Sequence, residues 1–174
     1  MFFAVLFILG MVTALNVNGA EASEEQAEAS TENYYYYNGH TGYNGDGAFI
    51  ADQLFINGLA DNNFTLNGYS VNADPDANTD HSETLSVYDQ TLYVNTDGEV
   101  YRADFPVNGT LDNLYSTIAN IEAVYGEPEK STLWYGDGEY YYYVGDAQIT
   151  FTFEGGMVSY VQIGAMEVPE YNIK

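Results

Sequence analysis

The residues best suited to chemistry in this 174-residue chain are carboxylates, two histidines and clustered aromatic rings. Asn72, Asp74, Asp76, Asn78 and Asp80 alternate along one stretch, the oxygen-ligand spacing of a calcium-binding loop. Counted from Asp74, however, Thr79 stands where such a loop needs glycine and Leu85 where it needs a bidentate glutamate. Asp74, Asp76, Asn78 and Asp80 are thus a weak candidate calcium site, set against a plain solvated turn, and no other cofactor is expected. His40 and His81 lie in segments rich in Gly, Asn and Asp, and no Gly-x-Ser-x-Gly elbow accompanies the serines. Carboxylate pairs could run glycoside hydrolysis, but 26 acidic residues guarantee some pair at a suitable separation. Gly136-Asp137-Gly138 puts an acid where a phosphate loop would need to attract an anion.

The aromatic residues are more specific. Tyr supplies 18 of the 28 aromatic side chains, and two runs of four stand out, Tyr34 to Tyr37 and Tyr140 to Tyr143. Strand alternation sends Tyr140 and Tyr142 to one face and Tyr141 and Tyr143 to the other. One pair is expected in the core, while the other, with Trp134, forms a candidate binding surface; Tyr35 and Tyr37 are added from the first run. Such a surface suits a protein or glycan partner. Packing on both faces is the structural alternative.

Charge narrows the partner. Arg102, Lys130 and Lys174 face 26 acidic residues, a formal net charge of −23. That field repels polyanions and anionic lipid, and fits a salty or cation-rich exterior where screening relieves self-repulsion. The chain has no cysteine, so disulfides, thiolate metal sites and a cysteine nucleophile are excluded.

The elements that must position these side chains follow from periodicity. Met1 to Ala22 reads as a secretory signal peptide with Ala20-Glu21-Ala22 at the cleavage point, although no Lys or Arg precedes its apolar run. No membrane span is expected after cleavage. Ser23 to Asn33 is expected to be a disordered acidic leader, followed by a single domain from Tyr34 to Lys174. In the second half, Leu111, Leu114, Tyr115, Ile118, Ile121, Val124 and Tyr125 recur at helical spacing. Thr110 is the predicted cap, with Gly126 and Pro128 at the end. Strands are predicted at Glu139 to Val144, Gln148 to Phe153 and Met157 to Ile163, and Gly164 to Lys174 is expected to lie over the surface. In the first half, a helix capped by Asp46 is predicted over about Ala48 to Leu59. Phe64 to Val71 reads as a strand broken at Asn67-Gly68, and Asn72 to Glu83 as a polar loop. Leu85 to Val94 and Val100 to Val107 are then expected to pair through a turn at Asp97-Gly98. The fold class is α+β: two helix-plus-antiparallel-sheet units, about 34–107 and 108–163, read as a structural duplication within one compact domain.

The chain resembles the immunodominant staphylococcal antigen B family of small secreted bacterial proteins. The segments that carry the likeness are YYYYNGHTGYN (Tyr34 to Asn44), FIADQLFINGL (Phe49 to Leu59), NFTLNGYSV (Asn63 to Val71), VYDQTL (Val87 to Leu92) and the VYG of Val124 to Gly126. The resemblance implies a secreted or loosely surface-associated antigen without an assigned reaction, in a family associated with extracellular nucleic acid. The helix-then-meander unit is also similar to β-lactamase-inhibitor-protein-like tandem domains, which bind proteins through a concave sheet. The function expected is a non-enzymatic binding protein for a host or cell-surface protein or glycan. Nucleic-acid binding and a carboxylate-dependent hydrolase are the alternatives.

Overall fold

The structure, a computed structural model, describes residues 32–42, 45, 47–108 and 117–170. The signal-peptide segment and nearly all of the acidic leader lie outside the described residues. Asn33, at the leader's end, donates through its backbone N and Nδ2 to Asp61 Oδ2, both at 2.8 Å.

In chain order the elements are β1 (Tyr35–Tyr37), a 3-10 turn (Gly47–Ala51), α1 (Gln53–Ala60), β2 (Phe64–Leu66), β3 (Tyr69–Val71), β4 (His81–Val87), β5 (Gln90–Asn95) and β6 (Val100–Pro106). They continue with α2 (Ile118–Tyr125), β7 (Lys130–Ser131), β8 (Gly138–Val144), β9 (Ala147–Glu154) and β10 (Met157–Gly164). Among the described residues the ten strands belong to one sheet in the order β1-β2-β3-β6-β10-β9-β8-β7, and the β4–β5 hairpin branches from it at β6. The fold is mixed α and β, with short helices against one large sheet.

Several expectations are corrected by local competition for backbone hydrogen bonds. The first-half helix is split: Asp52 is extended, its side chain accepts from Leu54 N at 2.9 Å, and the α-helix restarts there as α1. The cap is therefore Asp52; Asp46 lies outside the described residues. The second-half helix begins at Ile118, because Thr117 is extended (ψ 155°) and caps it through Oγ1 to Asn120 N at 3.3 Å. The predicted cap Thr110 and the ridge positions Leu111, Leu114 and Tyr115 lie outside the described residues. The rest of the ridge does face the core: Ile121 is buried, with Ile118, Val124 and Tyr125 packed around it, and Gly126 closes the helix at φ 84°. Leu85 to Val94 is two strands rather than one, turning at Tyr88-Asp89, where Asp89 is drawn into a loop described below. His81 to Glu83, expected in a loop, extends β4 as an exposed strand paired with β5 alone.

Each half supplies a helix and strands of one shared sheet; the sheet is mixed rather than antiparallel as expected, since β1 pairs with β2 and β3 with β6 in parallel. β6 from the first pairs with β10 from the second, from Pro106↔Tyr160 to Arg102↔Gly164. One core results, with Phe55, Phe64, Phe105, Phe151, Phe153, Ile50, Leu59, Ile121, Ile149 and Ile163 fully buried. Burial of these side chains is the main favourable term for a chain without disulfides. On β9, Ile149, Phe151 and Phe153 point into this core, so Gln148, Thr150 and Thr152 point to the other face of the sheet.

A candidate site on the second face of the sheet

Antiparallel pairing aligns side chains across strands, so register defines what this second face carries. One unbroken row runs Lys130–Tyr141–Thr150–Gln162–Asp104–Thr91 across β7, β8, β9, β10, β6 and β5. Beside it lie Glu139–Thr152–Tyr160–Pro106 on one side. On the other side stand Tyr143–Gln148 and Gly164–Arg102–Tyr93. At its centre Arg102 grips Asp104 with two bonds, Nε to Oδ1 and Nη2 to Oδ2, both at 2.6 Å. The guanidinium carbon sits 4.8 Å from the centre of the Tyr93 ring, and Gln162 Nε2 donates to Asp104 Oδ2 at 3.2 Å. Hydrogen bonding to Asp104 holds the Arg102 pKa above its ordinary value, so this cation is permanent. Burial raises the Tyr93 and Tyr160 phenols, with the Asp104 charge adding to it. The C-terminal segment covers one end of the face: Gln148 Nε2 donates to Met166 O at 3.2 Å, and Met166 N donates back to Gln148 Oε1 at 3.3 Å.

The predicted aromatic residues separate into three places. Tyr35 and Tyr37 turn inward, Tyr37 stacking on Phe49 with ring centres 4.3 Å apart and Tyr35 stacking at 5.9 Å, while Tyr34 and Tyr36 point outward. Tyr141 and Tyr143 share the second face; Tyr141 is buried with its phenol donating to Glu139, and Tyr143 is half exposed. Their neighbours Tyr140 and Tyr142 go beneath α2, donating to Glu122 Oε1 at 2.7 Å and to Gly126 O at 3.2 Å. Burial pushes the Tyr140 phenol up to about 12 and raises Tyr142 further, and it raises Tyr125, whose phenol reaches Ile50 O at 2.6 Å. Trp134 stands apart, at a hairpin tip.

That tip is rigid. Trp134 pairs with Asp137 around a two-residue turn in which Tyr135 and Gly136 both have positive φ, 52° and 93°. Asp137 Oδ1 accepts from Gly155 N at 2.7 Å, and Gly156 N donates to Gly136 O at 2.8 Å, which braces the tip on the β9–β10 turn. Trp134 is nonetheless 59% exposed and Tyr135 91% exposed, their rings edge-to-face at 4.9 Å. A left-handed, non-glycine backbone at a solvent-facing tip is a strained arrangement of the kind found at functional sites.

Asp74 and Asn78, two of the four candidate calcium residues, hold backbone N–H groups. Asp74 Oδ1 accepts from Asp76 N at 2.8 Å, Asn78 Oδ1 from Asp80 N at 2.9 Å, and Asn78 Nδ2 donates to Asp97 Oδ2 at 2.6 Å. The first two are Asx turns, and among the described residues no trio of His, Cys, Asp and Glu is placed to hold a metal. His40 lies with Nδ1 3.7 Å from Asp89 Oδ1, and His81 Nε2 contacts Thr84 Oγ1 at 3.2 Å on the exposed β4.

Sequence reading missed a polar node that joins three of the distinctive segments. Asp89 accepts from Thr41 N at 3.0 Å, Gly42 N at 2.7 Å and Gln90 Nε2 at 2.6 Å. Gln90 Nε2 also donates to Gly39 O, and Gln90 Oε1 accepts from Asn67 Nδ2 at 2.6 Å. Asn67 Oδ1 in turn accepts from Gly39 N at 2.6 Å. The loop after β1, the β2–β3 turn and the β4–β5 turn are therefore one hydrogen-bonded unit. The profile of a protein family described as "Immunodominant staphylococcal antigen B" matches residues 34–163, a span that contains this unit. The chain belongs to the immunodominant staphylococcal antigen B family. Proteins of that name in Staphylococcus aureus strains USA300, NCTC 8325 / PS 47 and COL are each 29% identical to it over 129 residues, 73% of this chain and 67% of theirs. Among solved structures, a DUF4309 family protein (YjgB) from Bacillus subtilis subsp. subtilis str. 168 is similar at a TM-score of 0.39 and 13% identity. That match covers 53% of this chain and 72% of that one.

Proposed function

We propose that this antigen B family member works outside the cell as a non-enzymatic binding protein, engaging a protein or glycan partner through aromatic side chains on its sheet. The supporting observation is the braced hairpin tip: Trp134 and Tyr135 are held in water by a strained turn and two hydrogen bonds to the neighbouring turn. Rings fixed in advance lose little entropy on binding, which is how aromatic residues dominate interfaces. The half-exposed Tyr143 extends the aromatic surface onto β8. Export is part of the proposal and rests on the apolar Met1–Ala22 segment; amino-terminal sequencing of the extracellular protein should begin at Ser23. Among the described residues no helix is long and apolar enough to cross a membrane. The duplicated, concave-sheet reading belongs to the same proposal, with a helix preceding strands in each half as its support.

The test is binding of the full chain, wild type and Trp134→Ala, to immobilised serum, matrix and mucin glycoproteins by biolayer interferometry. Saturable binding that weakens at least about tenfold in the variant, with melting temperature unchanged, supports the proposal. No binding by the wild type, or equal binding by both, overturns it. Nucleic-acid binding is the second reading and comes from family resemblance. With a net charge of −23, it requires a local cluster of phosphate-neutralising side chains. Salt-sensitive retention of a DNA duplex at low ionic strength would put that reading first. For a hydrolase, the central carboxylate Asp104 is already spent on Arg102.

A further inference from the structure

We propose that the second face of the sheet is a site for a neutral oligosaccharide, a deepening that rests on the binding role above. The first argument is charge. In the three cross-strand rows, Arg102 and Lys130 are balanced by Asp104 and Glu139, so these rows are formally neutral on a chain of −23, with Glu154 beyond them at the end of β9. Two of the chain's three basic residues stand here. An anionic glycan would be repelled by the rest of the molecule, and a cationic one gains nothing from a neutral patch.

Side-chain type is the second argument. The rows hold Tyr, Thr, Gln, Arg, Asp, Glu, Lys, Gly and Pro, with no Leu, Ile, Val, Met or Phe. A protein partner would look for apolar pockets, which such a surface lacks. A sugar ring presents hydroxyls at its edge and C–H bonds on its faces. The Gln162 amide and the Arg102 guanidinium, both part-exposed, provide planar polar groups for the first, and the Tyr143 and Tyr160 rings provide π surface for the second. Gln162 and Asp104 are already positioned by their mutual bond, so little ordering remains to be done on binding.

Thr150 is the third argument. It is 1% exposed on the floor of the central row, between Tyr141 and Gln162, and its Oγ1 has no hydrogen-bond partner. Folding alone would favour valine at this position, because an unsatisfied buried hydroxyl is destabilising. A polar floor retained against that penalty fits a face kept hydrophilic for a hydroxyl-rich ligand.

Isothermal titration calorimetry of the full chain against maltohexaose, cellohexaose, xylohexaose and an N-acetylglucosamine hexamer tests the site, with a heparin hexasaccharide as the anionic comparator. Expected is saturable binding of at least one neutral hexamer, weakened at least about tenfold by Gln162→Ala and by Tyr143→Ala. It should be unchanged by Tyr36→Ala, whose exposed ring is on β1. If Gln162→Ala lowers the melting temperature, the similar-sized Gln162→Glu is read in its place. Absence of binding by every neutral hexamer, indifference to both face variants, or equal affinity for heparin overturns the proposal. The two proposals fail separately: no sugar binding with glycoprotein capture still lost in Trp134→Ala removes the sugar alone. Sugar binding with Trp134→Ala indifferent removes the hairpin-tip reading alone.

Discussion

At the scale of single residues, two side chains have consequences that stability measurements read directly. Thr150 Oγ1 is buried without a partner, so Thr150→Val removes a desolvated hydroxyl at nearly constant volume. The variant is expected to be about 1 kcal/mol more stable, seen as a higher urea midpoint with an unchanged slope. A lower midpoint would mean that the hydroxyl has a partner after all. Asp89 is the opposite case. Its two oxygens hold the backbone of Thr41 and Gly42 and the side chain of Gln90. Asp89→Ala leaves those donors unpaired and should cost about 2–4 kcal/mol. Because the lost bonds tie the loop after β1 to the β4–β5 turn, limited proteolysis should cut first near residues 39–42. Resistance of the variant equal to that of the wild type would contradict the assignment.

At the scale of elements, close approach of backbone decides how the helices meet the sheet. Gly145, in the β8–β9 turn, has φ +60°, and a Cβ there would stand 2.3 Å from Ala60 O at the end of α1. Gly98, in the β5–β6 turn, also has positive φ (+84°) but has open space around the Cβ position. Alanine at Gly98 should therefore cost only the left-handed strain, about 1–2 kcal/mol. Alanine at Gly145 adds the displacement of α1 and should cost clearly more, at least about 3 kcal/mol. Comparable melting temperatures for the two variants would show that α1 does not bear on the turn. The same scale explains the corrected helix boundaries. Asp52 and Thr117 each offer a side-chain oxygen to a backbone N–H, and a helix starts where that offer is taken up.

At the scale of the whole molecule, protons and salt act on the fold as one body. Tyr125, Tyr140 and Tyr142 have phenol pKa values raised by burial, Tyr140 to about 12, against about 10 in an unfolded chain. A raised folded pKa means that the unfolded chain releases these protons first. The stability they contribute is thus complete below about pH 10 and is lost as pH climbs through about 12. Circular dichroism against pH should show unfolding that begins above pH 10, together with phenolate absorbance; retention of structure well beyond pH 12 would refute the burial of these three rings. The net charge of −23 makes a second demand. Raising NaCl from about 10 mM to 500 mM shortens the screening length from about 30 Å to under 5 Å, and the melting temperature should rise by a few degrees. A fall would mean that the local ion pairs outweigh the self-repulsion.

Local chemistry fixed much of this protein from its sequence alone. The strand read over Gln148 to Phe153 is β9, whose Ile149, Phe151 and Phe153 enter the core, and Asp97-Gly98 marked a real turn, because side-chain direction and turn type depend on a few consecutive residues. The charge, the absence of cysteine and the family segments needed no coordinates either. Tertiary structure alone decided which tyrosines are inside. Tyr35 and Tyr37 stack on Phe49, a residue whose position depends on where the 3-10 turn folds back. Likewise Arg102 and Asp104 read as two ordinary charges two residues apart. Pairing with β5 and β10 sets them beside Tyr93 and Gln162, in adjacent rows on one face of an acidic protein. Register between strands distant in sequence is set by the burial of the opposite face, and no short window of residues contains that information.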